Sequence, residues 1–175
     1  MSAIIDTCTF AAIVNKDNEM HKDFLPVLKW ILFDKGKIII GGKYFDTEIL
    51  RVSSFNSLIR ILSSYGKIYK TDNTLVEKEI IYLEGLCLPK DFDDSHLFAL
   101  FRVTKCRIFC TIDKRTFKYF KDERIIDKNS KPKIYTNYGH KPNARILRDE
   151  YLCDLCLPHI IMARGIANKI YQKLE

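Results

Sequence analysis

Short apolar runs alternate along this chain with longer stretches in which apolar residues recur at helical spacing. The runs at 4–5, 37–40 and 107–112 are rich in β-branched residues and stop at an acid or at glycine, which is typical of short buried strands. Briefer runs at 68–69 and 134–135 predict two more strands. We expect the strands that end at Asp6 and Asp113 to lie side by side in one parallel sheet.

The stretches between these runs predict helices. Their apolar residues recur three and four positions apart, as on one face of a helix. Pro26 is expected in the first turn of its helix, and Pro158 separates the last two. The predicted helices begin near Phe10 and cover 24–33, 45–52, 53–65, 74–86, 91–101, 149–157 and 159–174. The core residues predicted for the helices at 53–65, 74–86 and 91–101, with one residue just beyond the last, are Leu58, Ile61, Leu62, Leu75, Ile80, Ile81, Leu83, Leu97, Leu100, Phe101 and Thr104.

Four acids stand at the ends of these predicted elements, each beside an apolar run. They are Asp6, Glu48, Asp94 and Asp113. Folding would bring the four carboxylates together, and such carboxylates repel one another unless a cation neutralises them. Hard oxygen ligands suit Mg²⁺ or Mn²⁺, so the pattern predicts a divalent-metal site. The alternative for Asp6 is an ordinary strand-end turn, and for Asp94 a helix cap.

Length and composition indicate one domain. The chain has 175 residues, of which 47% are hydrophobic and 12% aromatic, enough for a core. No apolar run approaches the roughly 18 residues of a membrane span, and the first residues do not resemble a signal peptide. A cytoplasmic protein without a membrane partner is therefore expected.

The net charge of +7 comes from one basic segment, residues 114–148. This segment holds eleven Lys or Arg and three acids, a local net charge of +8, whereas the rest of the chain carries 18 basic and 19 acidic residues. A polyanion such as nucleic acid is a natural partner for this arrangement. A solvated surface that keeps the protein in solution is the alternative.

All six cysteines are expected to be reduced. Cys8, Cys87, Cys106 and Cys110 lie in apolar stretches, where free cysteine acts as a small core residue. The pair at 153 and 156 has metal-like spacing with a histidine at 159, but a structural zinc site needs four ligands, so helical spacing is the preferred interpretation.

In order and spacing, the four acids and their neighbours resemble the motifs of PIN-domain ribonucleases. The stretches that carry the resemblance are Ile4–Cys8, Glu48 after a short strand, Asp94–Leu100, Cys110–Lys114 and Lys133–Tyr135 with His140. The resemblance implies a three-layer α/β/α sandwich with a central, mainly parallel sheet over residues 1–148. Residues 149–175 are then a helical extension on the same domain, or a surface for a homodimer.

The same resemblance implies metal-dependent cleavage of RNA, often by the toxin of a toxin–antitoxin pair, so an antitoxin protein is a possible partner. It assigns the metal to Asp6, Glu48, Asp94 and Asp113, and gives the Thr111 hydroxyl the task of orienting water or an acid. Family spacing alone favours Glu48 over Asp46, and the offset to Ala99–Leu100 favours Asp94 over Asp93.

Several other residues beside these acids have two interpretations. Lys114, Arg115 and Lys118 follow Asp113 and could contact phosphate, or could be surface residues. His96 could act as a base or be structural. The aromatic residues of the basic segment could stack on unpaired bases, although most are expected in the core: Phe117, Tyr119, Phe120, Tyr135 and Tyr138.

Overall fold

The protein forms an α/β sandwich around one parallel sheet. The computed structural model describes residues 1–51, 53–139, 144–147 and 157–174. The strands and helices are β1 (Ser2–Ile5), α1 (Thr7–Val14), α2 (His21–Phe33), β2 (Lys37–Ile40), α3 (Lys43–Arg51), α4 (Ser53–Ser64), β3 (Ile68–Lys70), α5 (Asn73–Glu84), α6 (Ser95–Thr104), β4 (Ile108–Cys110), β5 (Lys133–Tyr135) and α7 (Arg164–Leu174). Short 3₁₀ segments cover Lys114–Lys121, Lys128–Ser130 and Ala144–Leu147.

The five strands lie in the order β3-β2-β1-β4-β5, and all pairs are parallel. Ile4 lies opposite Ile39 of β2 and Phe109 of β4. The chain therefore builds outward from β1 on one side through β2 and β3, and on the other through β4 and β5. The order reverses between β1 and β4, which is the switch point where open α/β sheets bind their ligands.

Alternate residues of the strands enter two separate cores, one on each face of the sheet. Ile5, Ile38 and Cys110 pack with α1, α2, α4 and α7, whereas Ile4 and Phe109 pack with α5, α6 and the first 3₁₀ segment. Because side chains of a strand point to opposite faces in turn, a sheet that is apolar on both faces needs helices on both sides. The predicted α/β sandwich is confirmed.

The helix boundaries correct two predictions from the sequence. Helix α2 begins at His21, so Pro26 lies inside the helix and not in its first turn. The last helix begins at Arg164, and residues 159–163 are not helical. The predicted helix at 149–157 and the cysteine pair at 153 and 156 fall largely or wholly outside the described residues, as does the histidine at 140.

Some predicted core residues are on the surface instead. Leu75 and Ile81 are exposed, because α5 packs on α6 through the stripe formed by Val76, Ile80 and Leu83. In α4, Ile61 is exposed and its neighbour Ile59 is buried.

The core predictions for α6 are confirmed, and those for the cysteines are confirmed in part. The four core residues predicted in α6 are all buried. Cys106 and Cys110 are buried free thiols, as expected, whereas Cys8 and Cys87 are free but exposed.

The carboxyl-terminal helix packs on the same body as the sheet. Ala167 and Ile170 of α7 enter the core that contains α2, and the rings of Phe33 and Tyr171 meet edge to face at 5.8 Å between centroids. No helix of the described residues is long and apolar enough to cross a membrane.

Candidate active site

The carboxyl ends of β1 and β4 form the centre of the candidate site. Asp6 directly follows β1, and its backbone N–H donates to the carbonyl of Cys110 at 3.0 Å, which extends the pairing with β4 by one residue. The Asp6 side chain is only 7% exposed and occupies the N-cap position of α1. A carboxylate is thereby fixed at the switch point of the sheet, where β1 turns sharply into a helix.

Thr111 joins the two acids that follow β1 and β4. Its hydroxyl donates to Asp6 Oδ2 at 2.7 Å and accepts from the backbone N–H of Asp113 at 2.9 Å. Thr111 is fully buried, so the bond to Asp6 forms away from water, whereas the bond from the Asp113 backbone is partly buried. One hydroxyl therefore sets the position of the Asp6 carboxylate relative to the loop that carries Asp113.

Glu48, and not Asp46, contacts the residue that follows Asp6 in the chain. Glu48 Oε2 accepts from the Thr7 hydroxyl at 2.6 Å, next to Asp6 in the chain. Asp46 instead accepts from Lys70 and Asn73, each at 3.2 Å, on the side of β3. The two acids are two residues apart on α3 and so point in different directions. The bond to Thr7 thus places Glu48, the acid that the family spacing favoured, beside the residue that follows Asp6.

Asp94 lies within electrostatic range of the other acids. Burial, and then the negative charges of Asp6, Asp93 and Asp113, raise the pKa of Asp94 to about 6. Asp94 occupies the N-cap position of α6, but its carboxylate accepts no capping hydrogen bond from that helix. Asp93 is more exposed and lies 3.7 Å from Arg115.

Asp113 is held by Arg115. The Arg115 guanidinium donates to Asp113 through Nε at 2.9 Å and Nη2 at 2.6 Å, and the backbone N–H of Arg115 donates to Asp113 Oδ1 at 2.8 Å. These bonds hold the pKa of Asp113 below its usual range. The predicted phosphate-binding arginine is therefore engaged with a predicted metal ligand.

The other two predicted nucleic-acid-binding residues differ from each other. Lys118 pairs with Asp91, which connects the first 3₁₀ segment to the loop before α6. Lys114 is exposed, and its ammonium lies 5.0 Å from the ring centroid of Tyr138. Tyr138 is 55% exposed, so this cation–aromatic pair faces solvent beyond the end of β5.

An aromatic pair borders the acids on the side of β2. The rings of Tyr44 and His96 lie 4.2 Å apart between centroids, with an interplanar angle of 38°. Burial is the largest influence on His96 and lowers the pKa of its imidazole, against the opposite effect of the charges of Glu48, Asp6 and Asp93. The neutral imidazole is thereby favoured.

The donor set is suited to a hard cation, although the carboxylates do not enclose a ready cage. Among residues 1–51, 53–139, 144–147 and 157–174, no three or more His, Cys, Asp or Glu stand in an arrangement that could hold a metal ion. Burial raises the pKa of Asp94, and the charges of Asp6, Asp93 and Asp113 raise it further; a divalent cation relieves this repulsion. Oxygen donors of this kind are those preferred by Mg²⁺ and Mn²⁺.

The sequence did not identify two threonines and one tyrosine at this site. Thr7 binds Glu48, and the Thr9 hydroxyl accepts from the backbone N–H of Ile112 at 3.1 Å, which fastens α1 to the loop after β4. The signal for both was a hydroxyl residue within three positions after the strand-end acid Asp6. Tyr44 gave no comparable signal, because its partner His96 is 52 positions away in the chain.

Comparisons with known proteins do not assign this chain to a group. A scan against models of protein families finds no match, and a search of curated proteins finds none either. The acids at the carboxyl edge of the sheet and the chemistry that they permit therefore carry the functional inference.

Proposed function

We propose that the protein is a divalent-metal-dependent endoribonuclease of the PIN type, with its site at the switch point between β1 and β4. The observation that carries the proposal is the Thr111 hydroxyl, which links the Asp6 carboxylate to the backbone of Asp113. Acids are brought to this point by the ends of two adjacent parallel strands, as expected for a ligand site in an α/β sheet.

Four side chains would hold the metal: Asp6, Glu48, Asp94 and Asp113. Bound there, Mg²⁺ or Mn²⁺ would lower the pKa of a water molecule and neutralise negative charge on the scissile phosphate. Thr111 fixes the Asp6 carboxylate, and Thr7 fixes that of Glu48. To bind a cation, Asp113 would have to give up its hydrogen bonds to Arg115. The guanidinium of Arg115 would then be available to bind a phosphate oxygen.

The charge beside the acids favours a nucleic acid as substrate, and the resemblance to PIN-domain ribonucleases favours RNA. The basic segment starts directly after Asp113 and carries a local net charge of +8. Phosphate neutralisation by lysine and arginine supplies most of the sequence-independent affinity for nucleic acids. Lys114 with Tyr138 adds an exposed aromatic surface of the kind on which unpaired bases stack.

RNA cleavage by the wild type and by Asp6→Asn tests this proposal. We expect cleavage with Mg²⁺ or Mn²⁺, loss of cleavage with EDTA, and a reduction on the order of 10²-fold or more in Asp6→Asn. Asp17→Asn is the matched control, because Asp17 is an exposed acid in the loop after α1.

Circular dichroism must show that Asp6→Asn is folded. Equal cleavage by the wild type and Asp6→Asn, or no cleavage with either metal, would refute the proposal. Loss of cleavage in Asp17→Asn as well would indicate a general effect of lowered negative charge.

A second candidate function is RNA binding without catalysis. The observation that favours it is the Arg115–Asp113 pair, which engages a proposed metal ligand through several hydrogen bonds. This candidate predicts salt-sensitive RNA binding that persists in EDTA and survives Asp113→Asn. Cleavage that requires both metal and Asp113 would exclude it.

The resemblance also motivates proposals about partners. A role as the toxin of a toxin–antitoxin pair, and a homodimer formed through the carboxyl-terminal region, remain predictions. Size-exclusion chromatography with light scattering measures the oligomeric state directly.

A further inference from the structure

We infer that the adjacent rings of Tyr44 and His96 form a platform that holds one unpaired base of the substrate beside the acids. The inference rests on the proposed function, which it deepens by assigning positioning residues for the nucleotide next to the scissile phosphate. A base that stacks on this platform lies on the β2 side of the site, opposite Lys114 and Tyr138.

The position of the platform follows from the turn after β2. Gly42 adopts a φ of +85°, which favours glycine, and its N–H donates to Asn73 Oδ1 at 2.9 Å. A Cβ at Gly42 would lie 3.0 Å from Val76. This tightly packed turn begins α3 at the carboxyl edge of the sheet, so Tyr44 lies in the first turn of that helix.

The ring of His96 lies against the ring of Tyr44. It lies in the first turn of α6, one residue beyond Ser95, where α6 also begins at the carboxyl edge. The charges of Glu48 and Asp6 act on His96, so the pair borders the proposed metal ligands. His96 is partly buried, whereas Tyr44 is 52% exposed to solvent.

Aromatic exposure on both sides of the acids matches a nucleic-acid strand better than a single small ligand. Tyr44 follows β2 and Tyr138 follows β5, and three strand spacings of about 4.8 Å place these strands roughly 14 Å apart. The acids of β1 and β4 lie between them. A strand that crosses the carboxyl edge can therefore stack on one tyrosine before the acids and on the other beyond them.

Binding of a short, unstructured RNA oligonucleotide of mixed sequence in EDTA tests the platform without catalysis. We expect Tyr44→Ala to weaken binding roughly 5- to 150-fold, the range for loss of one base–aromatic stack, and Tyr44→Phe to bind like the wild type. The slope of log affinity against log salt should not change, because no phosphate contact is removed. Tyr82→Ala is the matched control, since Tyr82 is 48% exposed near the far end of α5.

A direct optical readout comes from Tyr44→Trp. The single native tryptophan, Trp30, is buried, so a tryptophan at position 44 should be quenched when a base stacks on it. Equal binding by the wild type and Tyr44→Ala, equal losses in Tyr44→Phe and Tyr44→Ala, or unquenched fluorescence at saturating RNA would each overturn the platform.

Cleavage assays with Mg²⁺ separate this inference from the proposed function. If the wild type binds RNA through Tyr44 but never cleaves it, the platform stands and the nuclease proposal fails. If the wild type cleaves RNA and Tyr44→Ala does so with unchanged KM, the nuclease stands and the platform fails. Absence of RNA binding by the wild type overturns the platform.

Discussion

Both edges of the sheet carry an ionisable side chain with a shifted pKa, but the surroundings of the two side chains differ. At the amino edge, Lys67 is fully buried and its ammonium donates to the carbonyl of Asp34 at 2.5 Å. Burial lowers the pKa of Lys67 to about 8. At the carboxyl edge, burial together with neighbouring acids raises the pKa of Asp94 to about 6.

A shifted pKa alone therefore does not identify a functional site. The Lys67 ammonium has a backbone acceptor and lies within closed packing, so its charge is used to hold the turn after α2. At the carboxyl edge, the charges of neighbouring acids instead repel the carboxylate of Asp94 at the switch point of the sheet. Position in the topology and like-charge proximity together distinguish the candidate site from a structural lysine.

The largest effect is expected for Thr111→Val at the carboxyl edge. The change removes the donor to Asp6 and the acceptor for the Asp113 backbone, which leaves buried polar groups unpaired and costs about 1–3 kcal/mol of stability. Cleavage or metal affinity should fall about 10- to 100-fold, as for other residues that orient metal ligands.

Thr104→Val is the matched control for Thr111→Val, because Thr104 is also buried and its hydroxyl donates to the carbonyl of Leu100 at 2.7 Å. Urea unfolding and cleavage assays should show full activity in folded Thr104→Val. If Thr111→Val also keeps full activity, the link between Asp6 and Asp113 has no functional role.

At the amino edge, Lys67→Met should stabilise the protein without changing activity. The folded pKa of about 8 lies below the ordinary lysine value of 10.5, so the charged lysine opposes folding below pH 8. The variant should gain about 2–3 kcal/mol in urea unfolding at pH 7. This gain should shrink as pH rises from 8 to 10.5, where the folded wild type has lost its proton. A destabilised variant would show that the bond to Asp34 outweighs desolvation.

Asp94→Asn should also stabilise the metal-free protein, but with the opposite pH dependence. The folded pKa of about 6 exceeds 3.8, so the protonated acid favours folding below pH 3.8 and this contribution is lost as pH rises through 6. In EDTA at pH 8 the variant should be more stable by about 1–2 kcal/mol, with little difference near pH 4. A gain that is independent of pH would mean that the charge of Asp94, which burial and the neighbouring acids disfavour, is not its cause.

The smallest effect is expected for Arg115→Gln. The Arg115–Asp113 pair is largely exposed on the arginine side, and exposed ion pairs contribute little. Release of Asp113 should therefore tighten Mn²⁺ binding only a few-fold, measured by calorimetry at constant salt. Weaker Mn²⁺ binding in the variant would indicate that Arg115 positions Asp113 for the metal.

The sequence predicts the sheet well because its strands are bounded apolar runs. Ile38–Ile40 between glycines, and Ile4–Ile5 before Asp6, leave little freedom in where these strands start and end. Helix phase is harder to predict from residue type, as α5 shows. Leu75 and Ile81 are apolar but lie off the stripe that contacts α6, and only the packing of the two helices reveals this.

The candidate site was predicted in part for the same reason. Acids that end parallel strands must meet at one edge, so the proximity of Asp6 and Asp113 follows from the topology. Hydrogen-bond partners that depend on side-chain direction do not follow, such as Arg115 with Asp113 or Tyr44 with His96. Both pairs depend on loop geometry that periodicity does not encode.

Titration calorimetry of Mn²⁺ with the wild type, Asp6→Asn and Asp17→Asn is the most direct test of the metal site at the switch point. The wild type and Asp17→Asn should each show one saturable binding process, and Asp6→Asn should lose it or bind about 10-fold or more weakly. Equal Mn²⁺ affinity in all three proteins, or no saturable binding by the wild type, would contradict the account.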